Sequence, residues 1–210
     1  MLNVSVPSNG TFDPGIYRIV GYTGALNDNG LTIGSVPTPD YYLQTSIAQQ
    51  VNLLNTNGLQ VDFWDGNGGR GDGEVAGGDG TWQNTSGNDN WTLVDGSANA
   101  PYRDASFAIF AANGGTVTVD DSLGAVTTGG MQFATDGYRV EGDDIAVGAS
   151  PAVIRVGDGT TAGTAMTATI ASVLTGTGGI AKSDLGTLVL AADNTYTGGT
   201  AVTAGALAID

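Results

Sequence analysis

Hydrophobic and polar residues alternate in short runs along most of this chain. Residues 116–119 (Thr-Val-Thr-Val), 153–156 (Val-Ile-Arg-Val) and 188–190 (Leu-Val-Leu) are typical, and Gly, Asn, Asp and Thr separate such runs. Alternation with a period of two places one side chain toward a core and the next toward solvent, as in a β-strand. The turn-forming residues between the runs predict tight connections. The pattern therefore predicts an all-β fold built from many short strands.

The strand-like runs divide the chain into three zones that no linker separates. Residues 1–61 and 101–210 hold short candidate strands, and the second of these zones is the more regular. Between them, residues 62–100 contain all three tryptophans and the glycine-dense stretch 65–73. A long loop whose base is anchored by aromatic side chains explains this composition. We therefore expect one elongated segment over 1–210, in which 62–100 is a less regular, Trp/Gly-rich insertion.

The spacing of apolar residues near the C-terminus predicts how the strands stack. Leu188 and Leu190 recur as Leu207 and Ile209, an offset of 19 residues. One coil of a parallel β-helix needs about 20 residues for three short strands and their turns. The predicted architecture is a right-handed parallel β-helix, or solenoid, in which residues one coil apart share a core.

An antiparallel β-sandwich is the alternative architecture. Its hairpins favour Asn-Gly and Asp-Gly turns, and the chain has such dipeptides at Asn9-Gly10, Asn29-Gly30 and Asp136-Gly137. The hydrophobic pattern alone leaves the two architectures close to even.

Charge and composition exclude several classes of function. The formal net charge of −15 would repel a phosphate backbone, so nucleic-acid binding is not expected. The chain has no cysteine and no histidine, which removes disulfide frameworks, zinc ribbons, Ser-His-Asp triads and His-ligated metals. No apolar stretch is long enough to span a membrane. We therefore expect a chain that is not an enzyme and holds no cofactor.

A specific motif occupies residues 178–210. Residues 186–207 closely resemble the autotransporter-associated β-strand repeat, whose pattern is G-x-L-x-L-x-x-x-N-T-Y-T-G-x-T followed by Val or Ile and then G-x-L. The frequent lead-in K-x-G-x-G departs from the pattern at Asp184, which stands where the family has its first glycine. The matching positions are Gly186, Leu188, Leu190, Asn194, Tyr196, Gly198, Gly199, Thr200, Gly205 and Leu207.

The resemblance implies a role for each class of motif residue. Gly198 and Gly199 would form a tight turn with positive φ, and Asn194 would tolerate a left-handed corner and bond along a ladder. Tyr196 would lie over the core edge with its hydroxyl in water. The apolar side chains expected to point into the coil are Leu188, Leu190, Val202, Leu207 and Ile209.

The family also implies a cellular setting. Its passengers follow a signal peptide, precede an outer-membrane barrel and fold outside the cell. The parents are often adhesins, autoaggregation factors or biofilm factors. Because the N-terminus lacks the basic start and apolar core of a signal peptide, we expect a segment cut from a longer exported protein. A C-terminal barrel, absent from this segment, would attach that protein to the outer membrane.

The glycine-rich loop 65–79 is the candidate contact surface. Asp65, Arg70, Asp72 and Trp82 lie in or beside it, and Arg70-Gly71-Asp72 spells the integrin-binding tripeptide. A three-residue match is weak, and turn carboxylates are more often solvated than bound to Ca²⁺. The expected partners are a host cell surface, a matrix protein or a glycan, or a second copy of the chain.

Three functions are compatible with these residues and motifs. The first is a stalk or adhesin segment, and the second is a glycan- or matrix-binding module, in which exposed tryptophans would stack on sugar rings. The third is a carbohydrate-active β-helix enzyme using Asp120-Asp121 or Asp143-Asp144 with Arg139 or Arg155. The enzyme is the least favoured, because adjacent strand residues point to opposite faces and Arg155 is expected to face outward.

Overall fold

The computed structural model describes residues 1–6, 12–27 and 29–210, and the regular secondary structure in this part of the chain is almost entirely β-strand. Asn9-Gly10 lies outside the described residues. In chain order the strands are β1 (Gly15–Gly21), β2 (Tyr41–Gln44), β3 (Gln50–Asn55), β4 (Val61–Trp64), β5 (Gly80–Trp82), β6 (Trp91–Thr92), β7 (Asn99–Ala100), β8 (Phe107–Phe110), β9 (Thr116–Val119), β10 (Val126–Thr128), β11 (Gly130–Phe133), β12 (Tyr138–Gly142), β13 (Ile145–Val147), β14 (Ala152–Val156), β15 (Thr167–Ile170), β16 (Leu174–Gly176), β17 (Ile180–Ser183), β18 (Thr187–Leu190), β19 (Thr200–Val202) and β20 (Ala206–Ile209), with a short 3-10 helix, Thr161–Ala165, between β14 and β15.

Three stacks of parallel strands contain β4, β5 and all strands from β8 onward. Their orders are β10-β13-β16, β4-β8-β11-β14-β17-β19 and β5-β9-β12-β15-β18-β20. Every pairing within these stacks is parallel in the described residues. Successive strands such as β10, β11 and β12 belong to different stacks, and the cycle repeats with β13, β14 and β15. The predicted 19-residue pairing is confirmed, because Leu188 and Leu207 are parallel partners.

Antiparallel pairing also occurs, so the sheets are mixed. β1, β3 and β2 form an antiparallel three-stranded sheet, and β6 and β7 extend one stack beyond β4 in antiparallel fashion. The N-terminal region therefore does not form the parallel coils that we expected over the whole of 1–210. A short connection between β2 and β3 allows only an antiparallel neighbour. Asp136-Gly137, by contrast, joins β11 and β12 of different sheets and makes no hairpin.

Inward-facing side chains of the parallel strands form a continuous core. Val117, Val140, Ile170 and Leu190 are register partners on successive strands, and each is at most 1% exposed. Burial of each such side chain contributes about 1.5–3 kcal/mol. Their shared hydrophobic cluster extends to Trp64 at one end of the stack.

The N-terminal sheet covers the outer face of one stack. Ile16 and Leu54 pack with Phe63, Phe107 and Ile109 in a second buried cluster. On β8, Phe107 and Ile109 belong to this cluster, whereas Ala108 and Phe110 belong to the main core. Both faces of β8 are therefore dry, which explains its uninterrupted apolar sequence.

The side chains of Tyr102 and Tyr138 are fully buried, and that of Tyr17 is partly buried. The Tyr102 hydroxyl donates to the Ser106 carbonyl at 2.6 Å and the Tyr138 hydroxyl to the Ala111 carbonyl at 2.8 Å. Burial raises the pKa of Tyr17 from 10.0 to about 12. It also raises the pKa of Tyr102 and of Tyr138, since a phenolate would be desolvated there.

Raising the pH above about 10 is therefore expected to lower the free energy of unfolding. Unfolded tyrosines release protons near pH 10, whereas the buried phenols keep theirs, so the unfolded state binds fewer protons. Each buried group lowers stability by about 1.4 kcal/mol per pH unit until its folded pKa is passed. Urea unfolding at pH 9.5, 10.5 and 11.5 measures the slope. Tyr138→Phe removes one of the buried phenols and should reduce this slope by the contribution of one group. An unchanged slope in that variant would contradict a raised pKa of Tyr138.

Candidate functional site

The three tryptophans form a buried aromatic cluster beneath the 62–100 segment. Trp64, Trp82 and Trp91 are each at most 1% exposed. The Trp91 ring lies 5.1 Å from that of Trp64 and 5.2 Å from that of Trp82, both in edge-to-face geometry. Tyr102 and Phe110 complete the cluster. Burial of all three rings agrees with packing beneath the loop, so Trp82 is not an exposed contact residue and the tryptophans offer no exposed platform for a sugar.

Asp65 closes the base of the loop 65–79. One carboxylate oxygen accepts the Ala76 backbone N–H at 2.8 Å, and the other accepts the Asn99 side-chain amide at 2.8 Å. The side chain is buried. Asp65 is therefore an internal brace and is not the surface contact residue that the sequence predicted.

Arg70 and Asp72 are exposed on the same loop, yet both also have internal partners. The Arg70 guanidinium donates to the Asp89 carbonyl at 2.5 Å and to the Asn90 side-chain oxygen at 2.7 Å. The Asp72 carboxylate accepts the Glu74 backbone N–H at 3.0 Å. The guanidinium of the Arg70-Gly71-Asp72 tripeptide is thus turned toward the protein's own surface, which speaks against an integrin-type contact.

Asp65→Ala is expected to loosen the loop 65–79. The substitution leaves the Ala76 N–H and the Asn99 amide without their acceptor, and each hydrogen bond to a charged group contributes about 1.5–3 kcal/mol. Trypsin cleavage after Arg70 should accelerate by about tenfold or more. The matched control is Asp72→Ala, which removes an exposed carboxylate from the same loop and should cleave at close to the parent rate. Equal cleavage of Asp65→Ala and the parent would contradict the bracing role.

The paired aspartates lie at the surface. The Asp121 N–H donates to the Asp143 carboxylate at 3.0 Å, and the nearby Asp143 charge raises the pKa of Asp121. Arg139 pairs with Glu141 at 2.6 Å, so this candidate base is engaged elsewhere. Within the described ranges, no group of three or more acidic residues is arranged to hold a metal ion.

Leucines of the repeat take the inward positions that the motif implies. Leu188 and Leu190 are at most 1% exposed, and Leu207 packs against the same core. Val202 and Ile209, also expected inside, are 50% and 73% exposed. The reason is that β19 and β20 are edge strands, each paired on one side only in the described residues.

The glycines of the repeat differ in what they allow: Gly198 permits a close backbone approach, Gly205 combines a close approach with a positive φ, and Gly199 has open space around it. Neither Gly198 nor Gly199 has a positive φ, so that prediction is wrong. A side chain on Gly198 would place its Cβ 2.3 Å from the Gly179 nitrogen. Gly205 has a φ of 70°, and its Cβ would lie 2.3 Å from the Gly186 carbonyl oxygen.

Asn194 and Tyr196 link the repeat to its neighbours. The Asn194 side-chain oxygen accepts the Leu174 N–H at 2.8 Å, which confirms a ladder role, but Asn194 does not have a positive φ. Tyr196 is partly buried against the core, and its hydroxyl hydrogen-bonds Thr200 at 2.6 Å.

Sequence reasoning missed a polar seam, which we define as Gln132, Arg155 and Asp184. Gln132 imitates a neighbouring strand, because its side-chain oxygen accepts the Ile16 N–H at 2.7 Å and its amide donates to the Ile16 carbonyl at 2.8 Å. A period-two pattern gives no signal for this role, since Gln132 occupies an outward-facing position that the N-terminal sheet then covers.

Arg155 is the charged centre of the polar seam. It donates to Asp184 at 2.8 Å and to the Pro14 carbonyl at 3.0 Å, and its guanidinium lies 4.0 Å from the centre of the Tyr17 ring. Its side chain is 2% exposed. The expected outward, solvated Arg155 is therefore wrong, because the N-terminal sheet turns this outer face into an interior.

Comparison with known proteins shows two similarities. The Passenger-associated-transport-repeat family matches residues 180–209. The chain is also 53% identical, over 99% of its length, to the adhesin BmaC autotransporter of Brucella suis biovar 1 (strain 1330). Over nearly its whole length the chain is therefore similar to one segment of an autotransporter passenger, and the name passenger segment is used for it in this sense. It covers only 6% of that relative's length. No solved structure matches the passenger segment.

The backbone conformation and the partner of Asp184 explain why this position departs from the repeat pattern. Asp184, where the family has glycine, has a φ of 64°. This left-handed backbone is readily adopted by glycine and tolerated by Asp. Asp in place of glycine supplies the carboxylate that pairs with Arg155.

Similarity to an autotransporter implies a cell-surface location for the passenger segment. Among the described residues, no helix has both the length and the apolar character needed to cross a membrane.

Proposed function

We propose that this segment is a non-catalytic, adhesive part of a passenger, displayed at the cell surface. The observation that carries the proposal is its 53% identity, over 99% of the chain, to a protein named as an adhesin. The exposed residues Arg70 and Asp72 of the loop 65–79 are the proposed contact surface. The proposed partners are a host cell surface or matrix protein, and adhesion, autoaggregation and biofilm formation are the processes it would serve.

The proposed architecture is a stalk in which the three parallel stacks are the faces of a right-handed parallel β-helix. Parallel pairs of β10–β20, with successive strands in different sheets, support this arrangement. Residues 1–210 would then form one elongated unit, with 62–100 as an insertion that closes the core with its aromatic cluster and 178–210 as the repeat. A C-terminal barrel of the parent would anchor the stalk to the outer membrane.

A bead assay tests the adhesive role. Beads coated with the purified segment should adhere to cultured host cells and to immobilised matrix proteins more than beads coated with albumin. Arg70→Ala combined with Asp72→Ala should reduce adhesion, whereas Arg139→Ala, a change at another exposed arginine, should not. Adhesion no greater than that of albumin-coated beads on every surface would refute the proposal.

The buried tryptophans weigh against glycan binding as a second function. Because Trp64, Trp82 and Trp91 are enclosed, they present no exposed ring on which a sugar could stack. A glycan array checks this point, and specific binding to one class of sugar would move the proposed partner from protein to glycan.

A further inference from the structure

The strand β2 is an open edge of the N-terminal sheet. The strand order is β1-β3-β2, so β2 pairs with β3 alone. No backbone hydrogen bond joins residues 41–44 to a partner on the other side of β2 within the described ranges. The edge therefore presents unpaired backbone donors and acceptors, which can template a further strand.

Pairing between β2 and β3 shows which groups point outward. The Thr56 N–H donates to the Asp40 carbonyl at 2.9 Å, which marks a hydrogen-bonded pair immediately before β2. Hydrogen-bonded and non-hydrogen-bonded pairs alternate in an antiparallel ladder. The pair Tyr42–Leu54 is therefore hydrogen-bonded, and Tyr41 and Leu43 direct their N–H and carbonyl groups away from β3.

The opposite edge of the same sheet is protected, whereas β2 is not. β1 contains a bulge between Arg18 and Val20 and donates from the Arg18 N–H to the Asp158 carbonyl at 2.8 Å. Bulges, charges and prolines are the usual devices that block edge pairing. β2 has the sequence Tyr-Tyr-Leu-Gln and carries none of them.

A hollow flanks β2 on each face, and the first is mainly apolar whereas the second also contains the polar side chains of Asn27, Asn29 and Thr45. On the face toward the eight-stranded sheet, Tyr42, Leu59 and Leu93 line one hollow and are 48%, 41% and 44% exposed. On the opposite face, Leu43 lines a second hollow together with Leu26. A strand added to β2 would direct its side chains alternately into the two hollows, as strand addition requires.

We propose that β2 is a docking edge for an extended, positively charged segment of a partner protein, bound by strand addition. The outward backbone groups of β2 can pair only with an extended polypeptide. The apolar hollow would accept apolar side chains at every second position of that polypeptide. The net charge of −15 favours a basic partner and opposes a second copy of the chain. This surface does not include the proposed contact residues Arg70 and Asp72, and the proposal does not rest on the adhesive role.

Fluorescence anisotropy and amide exchange test the proposal with a defined probe. The probe is a labelled peptide, Lys-Val-Lys-Val-Thr-Val-Lys, and the comparison peptides carry N-methyl groups at alternate residues or Glu in place of Lys. We expect the parent probe to bind and both comparison peptides to lose about tenfold or more in affinity. In NMR, the amides of Tyr41 and Leu43 should gain exchange protection on binding, whereas those of Tyr42 and Gln44 are protected beforehand.

Matched variants of Leu43 separate backbone pairing from side-chain contact. Leu43→Pro removes the outward N–H at an edge position where proline is tolerated and should abolish binding. Leu43→Ala keeps the N–H and should weaken binding only a few-fold. Equal binding by Leu43→Pro, or no binding of the probe at about 1 mM, would overturn the proposal. A dimer of the parent chain that Leu43→Pro dissociates would assign the edge to a second copy and would also overturn it.

Discussion

Replacing Leu188 by Asp is expected to lower the free energy of unfolding by about 5 kcal/mol or more, which approaches the whole stability of many domains. Leu188 is 0% exposed and lies between Ala168 and Leu207 on the neighbouring strands. Loss of a buried leucine side chain alone costs about 2–5 kcal/mol. An unpaired carboxylate in the same apolar space adds a desolvation cost.

Urea or thermal unfolding followed by circular dichroism measures this effect. The control is Leu185→Asp, the same chemical change three residues earlier, where the side chain is 40% exposed. This control should stay within about 0.5 kcal/mol of the parent, as surface substitutions usually do. If Leu188→Asp melts with the parent, Leu188 does not share a dry core with its partners on the neighbouring strands.

Replacing Arg155 by Ala is expected to cost about 3–5 kcal/mol, as removal of one partner of a buried ion pair does. The change leaves the Asp184 carboxylate, which is 7% exposed, without its cation and the Pro14 carbonyl without a donor. Because Arg155 connects the stack to β1, hydrogen exchange of β1 amides should accelerate in the variant before global unfolding.

Arg139→Ala is the matched control for Arg155→Ala. Arg139 also pairs with a carboxylate, Glu141, but both side chains are more than 40% exposed. Exposed pairs contribute about 0–1 kcal/mol, so this variant should unfold near the parent. Equal effects of the two arginine substitutions would show that burial does not govern the strength of the pair.

A double variant separates charge burial from packing. Arg155→Leu with Asp184→Gly removes both charges, keeps an apolar group on the seam and places glycine at the left-handed position. We expect it to recover most of the stability lost in Arg155→Ala, because a buried ion pair can often be replaced by apolar residues at little cost. Failure to recover would indicate that the contacts with Pro14 and Tyr17 carry the stabilisation.

Much of the parallel region was predictable from local pattern. Period-two alternation located strands such as β9 and β18, and the recurrence of Leu188 as Leu207 predicted the register of β18 against β20. These signals work because a side chain stacked on a like residue one coil away must have the same chemistry. Tryptophans beside a glycine-rich loop likewise predicted an anchor, since large rings are rarely left in water.

Predictions failed where an outward-facing position was covered by another part of the chain. The alternation along its strand predicts that Arg155 faces solvent. Nothing in the local sequence predicts that Gln132 is buried and hydrogen-bonded to another strand. Lys182 is a related case: it is buried, and its ammonium donates to the carbonyls of Ser183, Asp184 and Ala204 at 2.8–3.1 Å. The alternating pattern does not predict this burial or the bond to Ala204, which lies 22 residues away.

The sequence by itself determined the all-β class, the repeat at the C-terminal end and the inward leucines, because strand period and coil length are local properties. Only the tertiary structure decided that residues 15–55 fold back as an antiparallel sheet on the outer face of a stack. That docking buries Arg155 and Gln132, braces one edge of the sheet and leaves β2 open. Contacts between residues more than 100 positions apart, such as Ile16 with Gln132, depend on how surfaces meet in space, which alternation along a strand does not encode.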